Sequence, residues 1–218
     1  MGARAITIFA LGVAAAAAAA LALALSDDSS GPRPSKGAAA VAGPATPVSS
    51  VATRFGGARE DCRTRSEANF PGAFTSSSNL VVGPLVLIGG AQTPASTVRD
   101  FGGNKFPLLV KSGHAVTVRV ARRAREAAGL AYGPLPQQRE TQLRDTHRSV
   151  TFVACRPGRA TGDYDPDGPS GSSADGVAVT FWSGFVLTRA PACIPLEVYV
   201  DGSAAPQRVG LPLGRRCA

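Results

Sequence analysis

The sequence predicts an all-β domain: an antiparallel β-sandwich of the immunoglobulin-like kind, with about seven strands and one or two short helices. Short apolar runs recur between residues 80 and 213, and glycine, proline, serine and aspartate separate them. Several runs alternate apolar and polar side chains with the period of two that marks a half-buried strand. An N-terminal hydrophobic helix and a flexible linker precede this domain.

Residues 1–25 form a membrane-targeting segment. Arg4 supplies one positive charge, and residues 6–25 then carry no charge until Asp27 and Asp28 follow. A helix of 20 residues rises about 30 Å, which matches the hydrocarbon core of a bilayer. The charge order predicts that the N-terminus stays inside and the C-terminus lies outside.

Two alternatives explain this segment equally well. A cleavable signal peptide would use an A-x-A site at residues 20–22 or 22–24. An uncleaved anchor would hold the protein to the membrane through residues 6–25. Both predict an extracytoplasmic protein, either secreted or membrane-anchored.

Residues 26–53 are mostly Ala, Ser, Gly and Pro, without an aromatic residue. Such a stretch buries too little apolar surface to offset the entropy of ordering it, so we expect a disordered linker. Residues 54–218 remain as one domain, which is large enough to hold its own core.

Two strand predictions come from the first half of the domain. The apolar run of residues 80–88 is interrupted by Gly83-Pro84, which suggests a bulge or an edge position. Residues 106–120 resemble a hairpin, because Ser112-Gly113 separates a short apolar run from the alternating run of residues 114–120.

Four more runs follow in the second half, and all show strand patterning. Gly184 marks a kink in the longest of them, and Asp201-Gly202 forms a turn before the last. These runs cover residues 149–155, 177–188, 194–200 and 208–213.

Two short helices fit the remaining pattern. In the first, Thr93 would be the N-cap and Pro94 the first helical residue, and Gly102 would end the helix. The second would cover residues 121–128, a stretch rich in Ala and Arg that would serve equally well as a loop.

The chain has four cysteines, and an even count in an exported domain predicts two disulfides. We expect Cys155–Cys193, because both residues flank runs that could be neighbouring strands, and Cys62–Cys217 would then tie the two ends of the domain together. The spacing contains no C-x-x-C pair, which argues against a thiolate metal site.

The formal net charge is +8 and comes almost wholly from arginine. Arg119, Arg122, Arg123 and Arg125 form one cluster without an interleaved aromatic residue, and this pattern argues against nucleic-acid binding. A basic surface without a specific partner explains the charge, and binding of an anionic envelope polymer is the functional alternative.

One loop resembles the start of an EF-hand. Asp163, Asp165 and Asp167 stand at the first, third and fifth positions, with Gly168 at the sixth. The twelfth position, where a bidentate glutamate belongs, is Ala174. The motif therefore supports no cofactor beyond a weak calcium site, and an acidic surface loop explains it as well.

Trp182 and Tyr199 could form an aromatic platform for a glycan or a peptide if their faces are exposed. Trp182 is the single tryptophan, and in β-sandwiches such a residue often belongs to the core instead.

The sequence contains no G-x-S-x-G motif. His114 and His147 lie near Ser112 and Asp145, but proximity in sequence does not make a triad. Alternation predicts that Glu197 points to solvent without a paired acid. We therefore expect a non-catalytic binding or envelope-associated module; an extracellular or cell-wall hydrolase, with a site assembled from distant residues, is the alternative.

Overall fold

Strands dominate the computed structural model, which describes residues 56–133, 141–156 and 171–218. The predicted targeting segment 1–25, the linker 26–53 and the start of the domain at residue 54 lie outside the described residues. Within the described residues, every helix is too short or too polar to cross a membrane. The prediction of an all-β domain is confirmed.

Thirteen strands and one α-helix occur in the described residues. In chain order they are β1 (Ala58–Glu60), β2 (Leu80–Val82), β3 (Leu85–Leu87), α1 (Ala95–Phe101), β4 (Gly103–Lys105), β5 (Leu108–Lys111), β6 (Ala115–Val120), β7 (Ala128–Tyr132), β8 (Ser149–Val153), β9 (Ser172–Ala174), β10 (Val177–Trp182), β11 (Gly184–Thr188), β12 (Ala192–Val200) and β13 (Gln207–Leu213). Three short 3-10 helices cover Cys62–Thr64, Arg122–Ala124 and Leu143–Asp145.

The described strands form three sheets. The first sheet has the order β1-β8-β6-β12-β13, the second β2-β3-β5-β10-β9, and the third β4-β11-β7. All neighbouring strands in them are antiparallel except β1 and β8, which pair in parallel with Glu60 opposite Phe152. The fold is thus richer in strands than predicted, and its N-terminal edge departs from the antiparallel pattern.

One core collects side chains from all three sheets. Tyr132, Phe152 and Trp182 come from different sheets and meet at its centre: the Tyr132 and Phe152 rings are edge-on with centroids 5.1 Å apart, and the Phe152 and Trp182 rings are tilted at 5.2 Å. The Tyr132 hydroxyl donates a hydrogen bond to the Phe106 carbonyl at 2.9 Å, so its polar end is satisfied inside the core.

A second apolar cluster covers the opposite face of the second sheet. Val86, Leu109 and Phe181 share that face, and the loop containing Ala73 packs on them. The Phe70 and Phe181 rings meet edge-on at 4.8 Å. The second sheet is therefore buried on both faces, which explains its nearly continuous apolar strands.

The interruption at Gly83-Pro84 is a tight hairpin rather than the predicted bulge, while the predicted edge position is confirmed, because β2 is an outer strand of the second sheet. Val82 pairs with Leu85 across the turn. Gly83 has a φ of 57°, and the proline that follows fixes a negative φ, as in the II′ turns of two-residue hairpins. The backbone cost of that positive φ is small for glycine.

The predicted hairpin over residues 106–120 was also wrong. β5 pairs with β3 and β10, whereas β6 pairs with β8 and β12, so Ser112-Gly113 carries the chain from the second sheet to the first. The predicted kink at Gly184 marks a similar crossing, because β10 belongs to the second sheet and β11 to the third. Alternation reveals strands but not their partners.

The strands predicted at residues 149–155, 194–200 and 208–213 are confirmed as β8, β12 and β13. Residues 201–202 form the predicted turn. Helix α1 starts one residue later than predicted, with Pro94 as the N-cap, and Gly102 ends it in the left-handed conformation with φ 68°. Thr93 caps nothing; its hydroxyl accepts a hydrogen bond from Asn104 instead. The second predicted helix shrinks to the 3-10 turn Arg122–Ala124.

Candidate functional site

Both disulfides are present, but the predicted pairing was wrong. The bonds join Cys62 to Cys155 and Cys193 to Cys217. Strand β6 lies between β8 and β12, so the strands near Cys155 and Cys193 are two strand spacings apart, or about 9–10 Å. That separation exceeds what a disulfide can bridge. Two disulfides indicate an oxidising, extracytoplasmic environment.

Parallel pairing at the edge of the first sheet explains the bond between Cys62 and Cys155. Because Glu60 lies opposite Phe152, strands β1 and β8 leave the sheet side by side. Cys62 follows Glu60 by two residues, and Cys155 follows Phe152 by three. The cysteine Cα atoms are 5.1 Å apart. A parallel N-terminal strand leaves no signal in the spacing of the cysteines, so the sequence could not have shown this pairing.

The other disulfide fastens the C-terminal segment over strand β13. Cys193 lies in β12, and Cys217 lies four residues after the end of β13. Both sulfur atoms sit above Gly210, where a Cβ would lie 2.5 Å from Cys217 Sγ and 2.7 Å from Cys193 Sγ. Only glycine leaves room for the bond at this position.

The fastened segment lies between two grooves. The first groove has a volume of about 820 Å³ and is lined by Gln92, Pro94, Arg215 and Arg216, among others. The second has a volume of about 510 Å³ and is lined by residues of β12, β13 and the turn after β6. Cys217 lines both, so the disulfide holds the wall that separates them.

Five exposed arginines lie within this segment or beside it, and all of them line one of the two grooves. We call them the tail arginines: Arg122, Arg123, Arg208, Arg215 and Arg216. Within the described part of the chain, none of the five lies in an ion pair. Their side chains are thus open to a ligand, and five like charges around two joined grooves give this end of the domain a positive potential.

One acid lies within this surface. Glu197 of β12 stands between Arg119 of β6 and Arg208 of β13 in the sheet register. Its carboxylate is 3.8 Å from Arg119 Nε, and both side chains are largely buried. Because the Glu197 carboxylate forms an ion pair with Arg119, it offsets little of the charge on the tail arginines.

The aromatic platform predicted from Trp182 and Tyr199 does not form. Trp182 is 1% exposed, and its indole nitrogen donates to the Asp61 carbonyl, so this residue belongs to the core. Tyr199 belongs to β12 of the first sheet and is 7% exposed, with the Arg119 guanidinium 5.8 Å from its ring centroid. Trp182 points inward because its strand is packed on both faces.

His114 pairs with a carboxylate, although neither of the predicted neighbours provides it. Its Nδ1 lies 2.8 Å from Asp201 Oδ2, and the Ala115 amide donates to the other oxygen of Asp201 at 2.9 Å. The His114 side chain is 41% exposed. It lines none of the grooves described above.

Asp145 and His147 do not form a pair. The Asp145 carboxylate accepts a hydrogen bond from the Gln142 amide and contacts Arg144, and His147 is exposed. Glu197, which alternation predicted to face solvent, lines the second groove, where its side chain is 20% exposed and its carboxylate is 3.8 Å from Arg119 Nε.

The predicted calcium ligands Asp163, Asp165 and Asp167 lie outside the described residues. Within the described residues, His, Cys, Asp and Glu side chains form no group of three or more that could hold a metal ion.

Sequence reasoning singled out Arg122 and Arg123 but missed Arg208, Arg215 and Arg216. The signal was present, because Arg215 and Arg216 directly precede a cysteine, but their location depended on the disulfide pairing. No protein-family model, curated protein or solved structure matches this chain.

Proposed function

We propose that this protein is a non-catalytic, extracytoplasmic binding module that holds an anionic envelope polymer at the tail arginines. A β-sandwich, in which the first sheet packs on the other two, would serve as its scaffold. The carrying observation is the placement of five exposed arginines around two grooves that share one disulfide-fastened wall.

The shape of the surface favours an extended ligand over a small anion. The two grooves adjoin along residues 214–218, and both are open to solvent. Guanidinium groups bind phosphate and carboxylate through paired hydrogen bonds, so a chain with repeated anionic groups would meet several of them in turn. Each contact between exposed charges is weak, and affinity would come from their number.

The disulfide that fastens the C-terminal segment also fixes the position of its arginines. A free C-terminal segment would lose much of its conformational entropy on binding, and that loss weakens affinity. The bond between Cys193 and Cys217 orders Arg215 and Arg216 before the ligand arrives. The disulfide thus supports binding by preorganisation as well as supporting stability.

The test compares two double variants of the full chain that lose the same charge. Arg215→Gln/Arg216→Gln removes two tail arginines, and Arg99→Gln/Arg189→Gln removes two exposed arginines elsewhere. Binding to purified teichoic acid, a phosphodiester polymer, is measured by sedimentation at increasing salt. We expect the tail variant to bind at least tenfold more weakly and the control variant to bind like the wild type.

Equal losses in both variants would show that net charge alone attracts the polymer, and would contradict a specific site. Absence of binding by the wild type at low salt would overturn the proposal outright.

The hydrolase alternative rests on the pair formed by His114 and Asp201, because a carboxylate on Nδ1 orients an imidazole for proton transfer. Its weakness is the position of His114 outside the grooves. Hydrolysis of teichoic acid or peptidoglycan that disappears in His114→Ala would favour this alternative; activity unchanged in that variant would exclude it.

A further inference from the structure

We propose that the bond between Cys62 and Cys155 is an exchange site for small anionic thiols, separate from the tail arginines. The two cysteines line a pocket of about 320 Å³ at the N-terminal edge of the first sheet. Its wall also carries Arg59, Arg63, Arg156 and Asp61, whose carboxylate is 3.8 Å from Arg59 Nε. Cys155 is 3% exposed, so this pocket is the approach by which a thiol would reach the bond, and its three arginines outnumber its one carboxylate.

A buried cation lies against one of the two sulfur atoms. Arg65 Nη1 is 3.5 Å from Cys62 Sγ and 2.8 Å from the Cys62 carbonyl oxygen. The Arg65 side chain is 1% exposed, so water screens its charge little. Its other nitrogens face Glu67, whose side chain is 44% exposed. Nη1 is thus directed at the sulfur while the opposing carboxylate is hydrated.

This geometry makes Cys62 the better leaving group. A thiolate forms at Cys62 when the bond breaks, and the adjacent guanidinium stabilises negative charge on that sulfur. A disulfide whose reduced form is stabilised in this way is more easily reduced.

The exchange balances in two steps. The thiolate of a small anionic thiol attacks Cys155 Sγ, the S–S bond breaks, and its electron pair leaves on Cys62 as a thiolate. A second thiolate then attacks the mixed disulfide on the ligand sulfur, which releases the oxidised thiol and leaves Cys155 as a thiolate. Two thiols are oxidised, one protein disulfide is reduced, and the two protons released by the thiols are shared between solvent and the cysteines.

The second disulfide of the chain provides an internal control for the Arg65 contact but not for the recruitment of anionic thiols, because the tail arginines surround it. Cys193 and Cys217 close a shorter loop elsewhere on the first sheet, and no arginine nitrogen within hydrogen-bonding distance of their sulfur atoms occurs in the described residues. Any general effect of unfolding would reach both bonds. A local effect of Arg65 would reach only Cys62–Cys155.

The full chain is incubated with glutathione, and each bond is followed separately by differential alkylation and peptide mass spectrometry. We expect Cys62–Cys155 to open on the order of tenfold faster than Cys193–Cys217, as one charge-assisted contact would give. Arg65→Gln should remove that advantage and leave Cys193–Cys217 unchanged. Cysteamine, a cationic thiol, should open Cys62–Cys155 more slowly than glutathione does.

Arg65 is buried, so its loss could prevent folding, and Glu67→Gln gives an independent test. This change removes the carboxylate that opposes the guanidinium, so exchange at Cys62–Cys155 should accelerate. Equal rates at the two bonds, a faster reaction in Arg65→Gln, or no acceleration in Glu67→Gln would each overturn the proposal. A preference for cysteamine would show that the arginines of the pocket do not recruit anionic thiols.

Discussion

The Trp182 indole Nε1–H donates a hydrogen bond to the main-chain carbonyl of Asp61 at 3.1 Å. This bond joins the second sheet to the turn that directly precedes Cys62. The Asp61 side chain also accepts a hydrogen bond from the Arg63 amide and so begins the 3-10 turn that carries Cys62. The core and the N-terminal disulfide are therefore mechanically connected through one residue.

Trp182→Phe should lower the free energy of unfolding by about 1–3 kcal/mol, since it removes the indole hydrogen bond to the Asp61 carbonyl, which keeps its bonds from Thr64, and opens space beside Phe152. Urea unfolding followed by circular dichroism measures the change. Phe101→Leu alters an aromatic residue that is 47% exposed and should change stability by less than about 0.5 kcal/mol. A small loss in Trp182→Phe would show that Trp182 is not a core anchor.

Glu60→Gln should stabilise the protein at neutral pH. Glu60 is 3% exposed, and within the described residues its Oε2 has no hydrogen-bond partner. Burial raises the pKa of this carboxyl above its ordinary value of 4.5; a hydrogen bond from Thr64 opposes the shift, and the charge of Asp61 adds to it. The folded state therefore favours the neutral acid.

The sign of the pH dependence follows from this shift. The neutral carboxyl contributes its full stability below pH 4.5, and that contribution is lost as the pH rises through the raised folded-state pKa. The advantage of Glu60→Gln should thus shrink as the pH is lowered toward 4.5, which urea unfolding at a series of pH values would reveal. An advantage independent of pH, or one equally present in the exposed Glu126→Gln, would refute this account.

Gly184→Ala should destabilise the protein by about 1–3 kcal/mol, because a Cβ at this position overlaps the Tyr132 ring. The cost should fall when Tyr132→Leu is introduced first, since the smaller side chain leaves space. A double-mutant cycle measured by thermal unfolding separates this clash from a change in backbone freedom. Additive effects would mean that the clash is relieved by backbone movement.

The two disulfides should contribute unequally to stability. Their sequence separations are 93 and 24 residues, and the entropy removed from the unfolded chain grows with loop length. Cys62→Ala/Cys155→Ala should cost about 4–5 kcal/mol and Cys193→Ala/Cys217→Ala about 3 kcal/mol. Midpoints of guanidinium unfolding for both variants check the order, and a reversed order would contradict the loop-length argument.

Calcium should raise the melting temperature of the full chain if Asp163, Asp165 and Asp167 bind it. The incomplete motif predicts weak binding, with a Kd of roughly 10⁻⁴–10⁻³ M. Thermal melts across a calcium titration, repeated with Asp163→Asn/Asp165→Asn and with magnesium, test this prediction. A melt that does not respond to calcium would leave the loop as acidic surface.

The sequence showed individual strands well because their alternation depends on one buried face, as at Val116, Val118 and Val120. It failed where pairing involves partners distant in the chain. Ser112-Gly113 has the composition of a hairpin turn, and only the packing of the second sheet decides that the chain crosses there. Strand β7 was missed because all of its residues, Ala128–Tyr132, are buried and three of the five are Ala or Gly, which leaves no alternation of apolar and polar side chains.

The candidate site was partly predictable. The cluster around Arg122 is local in sequence and was visible, whereas Arg208 and Arg215 join it only through the β12–β13 pairing and the bond at Cys193. Trp182 was misplaced as a platform residue because its face is covered by a further layer. Period-two patterns do not report such a layer.

The crossings between sheets determine how this domain would behave if it were divided. A cut at the exposed turn before β10 leaves β1–β9 in one fragment and β10–β13 in the other. The shorter fragment holds β11, the middle strand of the third sheet, and β10, which separates β5 from β9. Each fragment would retain one complete disulfide, so packing alone would join them. Neither fragment could fold alone, because each lacks strands of the sheets it shares with the other. Folding of the mixed fragments would therefore report that the two had met, as in a split-protein reporter.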